Sequence, residues 1–396
     1  MIQRPEYLKK LISFKDKQLI KIVTGVRRCG KSTLFALYQE ELLKKGVLPN
    51  QIQSINLEDP SYSNLLDWTK LYEYINKRLV PNQKNYIFID EVQNVVDFEK
   101  AADGLFIKNN VDLYLTGSNS KMQSGQWATL LSGRYVEIHM LPLSFKEYSS
   151  AADTGNVEET FRSYLENSSF PYALQLNGDI NQIRDYLGGI YNTIVLKDVV
   201  ENKNIRDVSR LESVIRFMAD NIGSLTSIKK ISDTMTSDGI KTMPLTIENY
   251  LDAFRNSYIL YKVGRYDVKG KKLLQTLDKY YLVDIGLRYY LLGNKKADRG
   301  RILENIVYLE LLRRGYKVYI GKVGDKEVDF VAENNGEIEY YQVSDSVADQ
   351  ETLSRELAPL DAIKDHNLKI LLTRDFEPQT SHNGIKQINI FDWLKQ

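Results

Sequence analysis

Eight residues, GVRRCGKS at 25–32, leave this chain few choices of architecture. They follow the β-branched run LIKIVTGV (19–26) and lead into KSTLFALYQEELLKKG (31–46), whose Leu34, Leu37, Leu42 and Leu43 recur near a helical period until Gly46 ends it. A Gly-x-x-x-x-Gly-Lys-Ser loop between a strand and a helix is built to hold phosphate. Its glycines let the backbone curl, and successive N–H groups, with the positive end of the helix, face phosphate oxygens. Gly25, Arg28, Cys29, Gly30, Lys31, Ser32 and Thr33 are therefore the candidate nucleotide-binding residues. Lys31 reaches the β and γ phosphates, Ser32 offers a hydroxyl to Mg2+, and Thr33 sits where a further hydroxyl touches the α phosphate.

Such a loop belongs to a parallel sheet, and the residues after it supply one. The runs IQSINLED (52–59), YIFIDEV (86–92), VDLYLTGS (111–118) and YVEIHML (135–141) alternate with helical segments, which predicts an α/β core over 1–143. The run at 86–92 carries Asp90 and Glu91 at its end. Asp90 is the candidate Mg2+ partner of Ser32, and Glu91, on the opposite side by strand alternation, is the candidate base that polarises an attacking water. Strand ends in an open parallel sheet face the ligand crevice, so Ser118 or Asn119 either senses the γ phosphate or caps the next helix. Arg134, ahead of the fifth run, is a candidate catalytic arginine in cis or from a neighbouring subunit, with a surface ion pair as the plain alternative.

Composition narrows the rest. The 396 residues suggest two to three domains, and 53 basic against 52 acidic residues leave no global field to draw the chain onto nucleic acid or an anionic membrane. A lone cysteine, Cys29, excludes an internal disulfide and fits a reducing, cytoplasmic setting. The N-terminal MIQRPEYLKKLISF lacks the apolar core of a signal peptide, and the apolar runs are strand-sized, so no membrane is expected. His139, His366 and His382 make no zinc pattern with Cys29.

Residues 144–205 read as a helical subdomain. Over 206–292, three helical stretches (RLESVIRFMADNIG, SIKKISDTMTSDG, LTIENYLDAFRNS) precede a hairpin-like pair around Gly264 and Gly270, the pattern of a winged helix. From 204 to 301 there are eighteen basic and eleven acidic residues. Within that surplus Lys262, Arg265, Lys269, Lys271 and Lys272 form a local run suited to DNA phosphates, against the alternatives of a solvated hairpin or a protein-binding module. After the linker LLGNKKADRG (291–300), a helix and several strands predict a further small α/β domain over 300–396.

The segments GVRRCGKS, IFIDEVQ, TGSNS and LLSGRYVEIHMLPLSFKEY together resemble the bacterial and archaeal AAA+ superfamily ATPases that carry a C-terminal domain of unknown function, and the resemblance runs over nearly the whole chain. It implies adenine as the base and a P-loop NTPase core of AAA+ type with sheet order 5-1-4-3-2. It also implies a winged helix and a restriction-endonuclease-like C-terminal domain. In such a domain Glu304, Asp329 and Gln342 fall at the places of the Mg2+-binding side chains. Where active nucleases have a lysine this chain has Ser344, which cannot activate water at neutral pH, so the domain is expected to be inactive; nothing in the sequence argues for Lys326 as a substitute. The expectation is a Mg2+-dependent, ATP-hydrolysing switch coupled to DNA or a protein partner, and a homo-oligomer if Arg134 acts in trans. A nucleotide-gated adaptor and, behind it, a nuclease are the alternatives.

Overall fold

The computed structural model describes residues 2–117, 127, 130–152, 155–201, 205, 207–293, 299–376 and 380–396. Two units divide it. One takes in Met1–Pro142, Asn192–Asn204 and Asn256–Tyr258, the other Leu143–Tyr191, Ile205–Arg255 and Ile259–Gln396.

The first unit runs α1 (Pro5–Ser13), β1 (Ile20–Thr24), α2 (Lys31–Lys44), β2 (Ile52–Asn56), α3 (Trp68–Asn76), β3 (Asn85–Asp90), α4 (Phe98–Phe106), β4 (Val111–Gly117) and β5 (Tyr135–His139). Its sheet has the order β2-β3-β4-β1-β5, and every pairing is parallel. This is the 5-1-4-3-2 order of the P-loop NTPase core. β1, β3 and β4 are buried along their whole length, which is why they read as near-continuous apolar runs with no polar face. On one face Ile87, Ile89, Leu113 and Leu115 pack with Leu71, Ile75, Ala101 and Leu105 of α3 and α4. On the other, Phe35 and Tyr38 of α2 stack edge-on against Phe88 and Tyr114. Lys21 interrupts the apolar pattern of β1, and its fully buried ammonium pairs with the equally buried Asp112.

The second unit begins with α5 (Phe145–Ala152), α6 (Val157–Glu166), most of α7 (Ile180–Asn192), α8 (Val208–Asp220), α9 (Ile228–Ser237) and α10 (Pro244–Asn256). A two-stranded stretch follows, β6 (Leu260–Asp267) and β7 (Lys272–Leu282), then α11 (Ile285–Leu292) and α12 (Arg299–Arg313). The remainder is β8 (Lys317–Val323), β9 (Lys326–Asn334), β10 (Glu337–Val343), α13 (Gln350–Asp361), β11 (Leu368–Thr373), β12 (Thr380–His382), β13 (Ile385–Asn389) and α14 (Ile390–Lys395). All eight strands form one mixed sheet, β12-β13-β11-β10-β9-β8-β6-β7. The expected hairpin is thus no free-standing wing: β6 pairs with β7 on one side and, in parallel, with β8 on the other. β7 is the edge strand, and Asn305 of α12 covers its end by accepting from Leu282 N and donating to Leu282 O, both at 2.8 Å. Among the described residues no helix is long and apolar enough to cross a membrane.

Candidate nucleotide site

β1 ends at Thr24, and the loop that follows takes backbone angles only certain residues tolerate. Gly25 lies at φ +140°, where a Cβ would meet Met140 O at 2.1 Å, and Gly30 lies at φ +104°. Arg28 adopts φ +65° at the exposed crest of the loop, while Cys29 is buried beneath it with its thiol pushed up by burial. α2 starts at Lys31, so the loop's N–H groups and the helix amino end share one concavity. The Lys31 ammonium is 5 % exposed and donates to the carbonyls of Gly25 (3.2 Å) and Val26 (3.3 Å), weak neutral acceptors that phosphate oxygens replace with gain.

Beside the loop, at the carboxyl edge of the sheet, stand the two acids. Asp90 closes β3 and is buried, which raises its carboxyl; hydroxyls of Ser32 and Thr116 bond it and work in the opposite sense. Glu91 leaves the strand at φ +56°, its N–H donating to Thr116 Oγ1 at 2.9 Å and its carboxylate held by the Gln93 amide. Thr116 therefore bridges both acids, and Ser32 joins the phosphate loop to Asp90. Thr33 is exposed on the first turn of α2. Oxygen ligands of this kind, a carboxylate and two hydroxyls, suit a hard divalent cation.

Sequence reasoning missed several neighbours. Thr116 lies on the strand whose end was expected to sense phosphate, yet Ser118 and Asn119, the residues singled out, lie outside the described residues. Arg4, 2 % exposed, donates to Cys29 O (3.0 Å), Leu141 O (2.7 Å) and Pro142 O (3.3 Å), fastening the phosphate loop to the exit of β5. Tyr7 adds a hydroxyl that accepts from Leu141 N at 3.0 Å. No motif marks either residue, because their partners are carbonyls and amides far along the chain. Under Thr24, Glu137 accepts from the Thr24 hydroxyl at 2.6 Å and from Tyr258 at 3.4 Å, and the Tyr258 ring lies against His139 with centroids 4.5 Å apart. Burial, with Lys31 and Lys10 nearby, pushes His139 down to about 4, so it is neutral at physiological pH.

Arg134 is corrected. Ile20 N donates to Arg134 O at 2.9 Å, and Ile20 pairs with Tyr135 while Thr24 pairs with His139. Arg134 is thus at the amino edge of the sheet, roughly 13 Å along the strands from the edge where the loop begins. It pairs there with Asp103 at 3.1 Å. A role in cis fails on register. The basic run is also smaller than expected: Lys262 is ion-paired with Asp278 at 2.9 Å, and Arg265 is half-buried in a strand paired on both sides. Lys269, Lys271 and Lys272 remain exposed at the β6–β7 turn.

In the second unit, Glu304 on α12 and Asp329 on β9 do converge, with Gln342 Oε1 accepting from Asp329 N at 3.3 Å. Sequence reasoning looked for a lysine at Ser344 and missed one that arrives from another strand. Lys279 of β7 lies between them, whereas Lys326 donates to Ala358 O at 3.3 Å and Ser344 to Ser346 O at 3.2 Å.

Comparison with known proteins bears on the fold and the family. An AAA domain model matches residues 17–149, and a domain of unknown function, DUF8612, matches 158–298. A Haemophilus influenzae protein described as uncharacterized is 40% identical over 100% of this chain and 99% of its own length. The chain belongs to this family of AAA-domain proteins. The uncharacterized protein MJ1544 of Methanocaldococcus jannaschii is also similar, 30% identical over 94% of this chain and 85% of its own. Among solved structures, the Walker-type ATPase PABY2304 of Pyrococcus abyssi shares the fold, with TM-score 0.50 and 15% identity over 74% of this chain and 96% of that one. The family member described here thus carries a nucleotide-binding, AAA-type P-loop ATPase domain.

Proposed function

We propose that the protein is a Mg2+-dependent ATP hydrolase that works as an AAA+-like switch. The observation that carries this reading is the convergence of Ser32, Asp90, Thr116 and Glu91 beside Lys31 and the glycine-bounded loop. Ser32 and Asp90 are the residues that would hold Mg2+, whose charge offsets the negative charge on the transferring phosphate. Lys31 exchanges its two carbonyl acceptors for the β and γ phosphates, and the loop N–H groups orient the chain of phosphates. Glu91 accepts the proton of the attacking water, and Thr116 fixes the spacing of the two acids by bonding both. Steady-state ATP hydrolysis by wild type and Glu91→Gln tests this. Turnover in wild type that falls about 10²–10⁴-fold in Glu91→Gln, with ATP still bound, is the expected result. Equal turnover in the two proteins removes Glu91 as the base.

For the residues after the core we propose a helical subdomain over 144–205, a winged helix over 206–292 and a restriction-endonuclease-like domain over 300–396. Support for the winged helix comes from element order: α8, a one-pair bridge between Thr226 and Asp278, α9, α10, then β6 and β7. DNA would meet Lys269, Lys271 and Lys272. One observation favours a protein partner instead. Met243 (71 %), just ahead of α10, and Leu245 (67 %) in its first turn are exposed beside the exposed acid Glu248, an apolar and acidic surface unsuited to phosphates. Hydrolysis with and without duplex DNA separates the two, since only the DNA reading gives stimulation that salt abolishes. A cytoplasmic location and a homo-oligomer in which Arg134 acts in trans complete the proposal, the latter tested by solution mass with and without ATP.

A further inference from the structure

Three carboxylates in the second unit surround one ammonium. Lys279 Nζ stands 2.8 Å from Glu327 Oε1, 3.0 Å from Glu304 Oε2 and 4.0 Å from Asp329 Oδ1, and its side chain is 4 % exposed. The acids arrive from α12 and, by strand alternation, from one face of β9; the lysine arrives from β7. Tyr281, on the same face of β7 as Lys279, donates to Glu304 Oε2 at 3.1 Å, and Val343 N donates to Asp329 Oδ2 at 2.9 Å. Gln342 links the group to a fourth acid by donating to Glu356 Oε2 at 2.9 Å.

The family resemblance puts Glu304, Asp329 and Gln342 at the places of Mg2+-binding side chains in a site expected to be inactive. The residues present do not fit that ion. Magnesium needs near-octahedral oxygen ligands about 2.0–2.1 Å away and retains several waters. Here the space between Glu304 and Asp329 is filled by a buried ammonium at hydrogen-bond distance from Glu304 and Glu327 and 4.0 Å from Asp329, and a dication beside it would meet a like charge out of water. Among the described residues no group of three Asp, Glu, His or Cys is arranged to hold a metal.

We propose that Lys279 is a tethered cation occupying the metal position of this carboxylate nest, so that the second unit gathers its acids without a divalent ion and does not cut nucleic acid by metal-assisted hydrolysis. The lysine reaches the nest because the β6–β7 register shifts between Val263 and Arg265, whose partners are Lys279 and Leu274. That irregularity sets the register of Lys279 and Tyr281 separately from the rest of β7. Burial pulls Lys279 down, but Glu304, Asp329 and Glu327 outweigh it and hold the ammonium charged. The same contacts tie β7 to α12 and β9, so the ammonium also fastens the hairpin to the strands that follow.

The test uses the full chain without nucleotide. Mn2+ binding is followed by electron paramagnetic resonance and thermal melting by circular dichroism, for wild type, Asp329→Asn, Lys279→Met and the double variant. Wild type and Asp329→Asn are expected to bind Mn2+ alike and to leave duplex DNA uncut. Lys279→Met is expected to melt lower in EDTA, to recover on adding Mn2+, and to bind one more Mn2+ per chain than wild type. The double variant should lose that extra ion. A wild-type Mn2+ site that Asp329→Asn removes would overturn the proposal, because metal and lysine would then coexist as in a working nuclease. A folded Lys279→Met that gains no Mn2+ would overturn it equally. If Lys279→Met does not fold, the wild-type and Asp329→Asn titrations still decide whether the native nest takes a metal.

Discussion

Thr116 shows how one hydroxyl can govern a site. It donates to Asp90 and accepts from Glu91 N, so Thr116→Val strips a donor from one acid and leaves a buried N–H of the other without its acceptor. We expect a loss of about 1–3 kcal/mol in stability and a lower kcat with ATP affinity largely kept, read by urea unfolding and hydrolysis kinetics. Asp90 gives a pH prediction. Burial raises its carboxyl, so at pH values between the ordinary carboxylate range near 4 and its own raised value it is partly protonated. Binding Mg2+-ATP must then release a proton, and apparent affinity should rise with pH through that window. Calorimetry in buffers of different ionisation enthalpy measures the released proton, and Asp90→Asn should abolish it. Arg4→Ala should weaken ATP binding several-fold while Arg4→Lys restores part of it, since the guanidinium holds the loop through Cys29 O and contacts no reacting atom.

At the scale of elements, the agreement between sequence and structure has a physical pattern. β1, β3 and β4 were legible because burial on both faces forces unbroken apolar runs, and α8, α9 and α10 because one-sided burial forces a helical period. α13, β12 and β13 had no such signature: α13 contains Pro359 and buries only that residue and Leu360, and β12 has three residues. The exception within β1 makes a prediction. Lys21 pairs with Asp112, which also accepts from Tyr114 OH at 2.8 Å, and Tyr114 meets Tyr38 at 3.0 Å. Asp112→Ala strands a fully buried ammonium and should cost about 3–5 kcal/mol in urea unfolding, whereas the double change Lys21→Met with Asp112→Leu should recover much of it.

For the molecule as a whole, what matters is which groups the fold lets meet. Replacing Lys269, Lys271 and Lys272 by glutamine leaves the sheet intact, because all three are exposed at the turn. If DNA is the partner, the variant should lose its affinity and its salt dependence together; if a protein is, hydrolysis with DNA should match wild type and the change should be neutral. The phosphate loop, the two acids at the end of β3 and just beyond it, and the alternation of strands and helices were determined by the sequence itself, since each depends on residues close along the chain whose spacing is fixed by strand or helix period. The exclusion of Arg134 in cis, the roles of Thr116, Arg4 and Tyr258, and the meeting of Lys279 with Glu304 and Asp329 were decided by tertiary structure alone. Each depends on the register between strands or on side chains distant in sequence, and no local pattern encodes which end of a strand, or which distant carbonyl, a residue will reach.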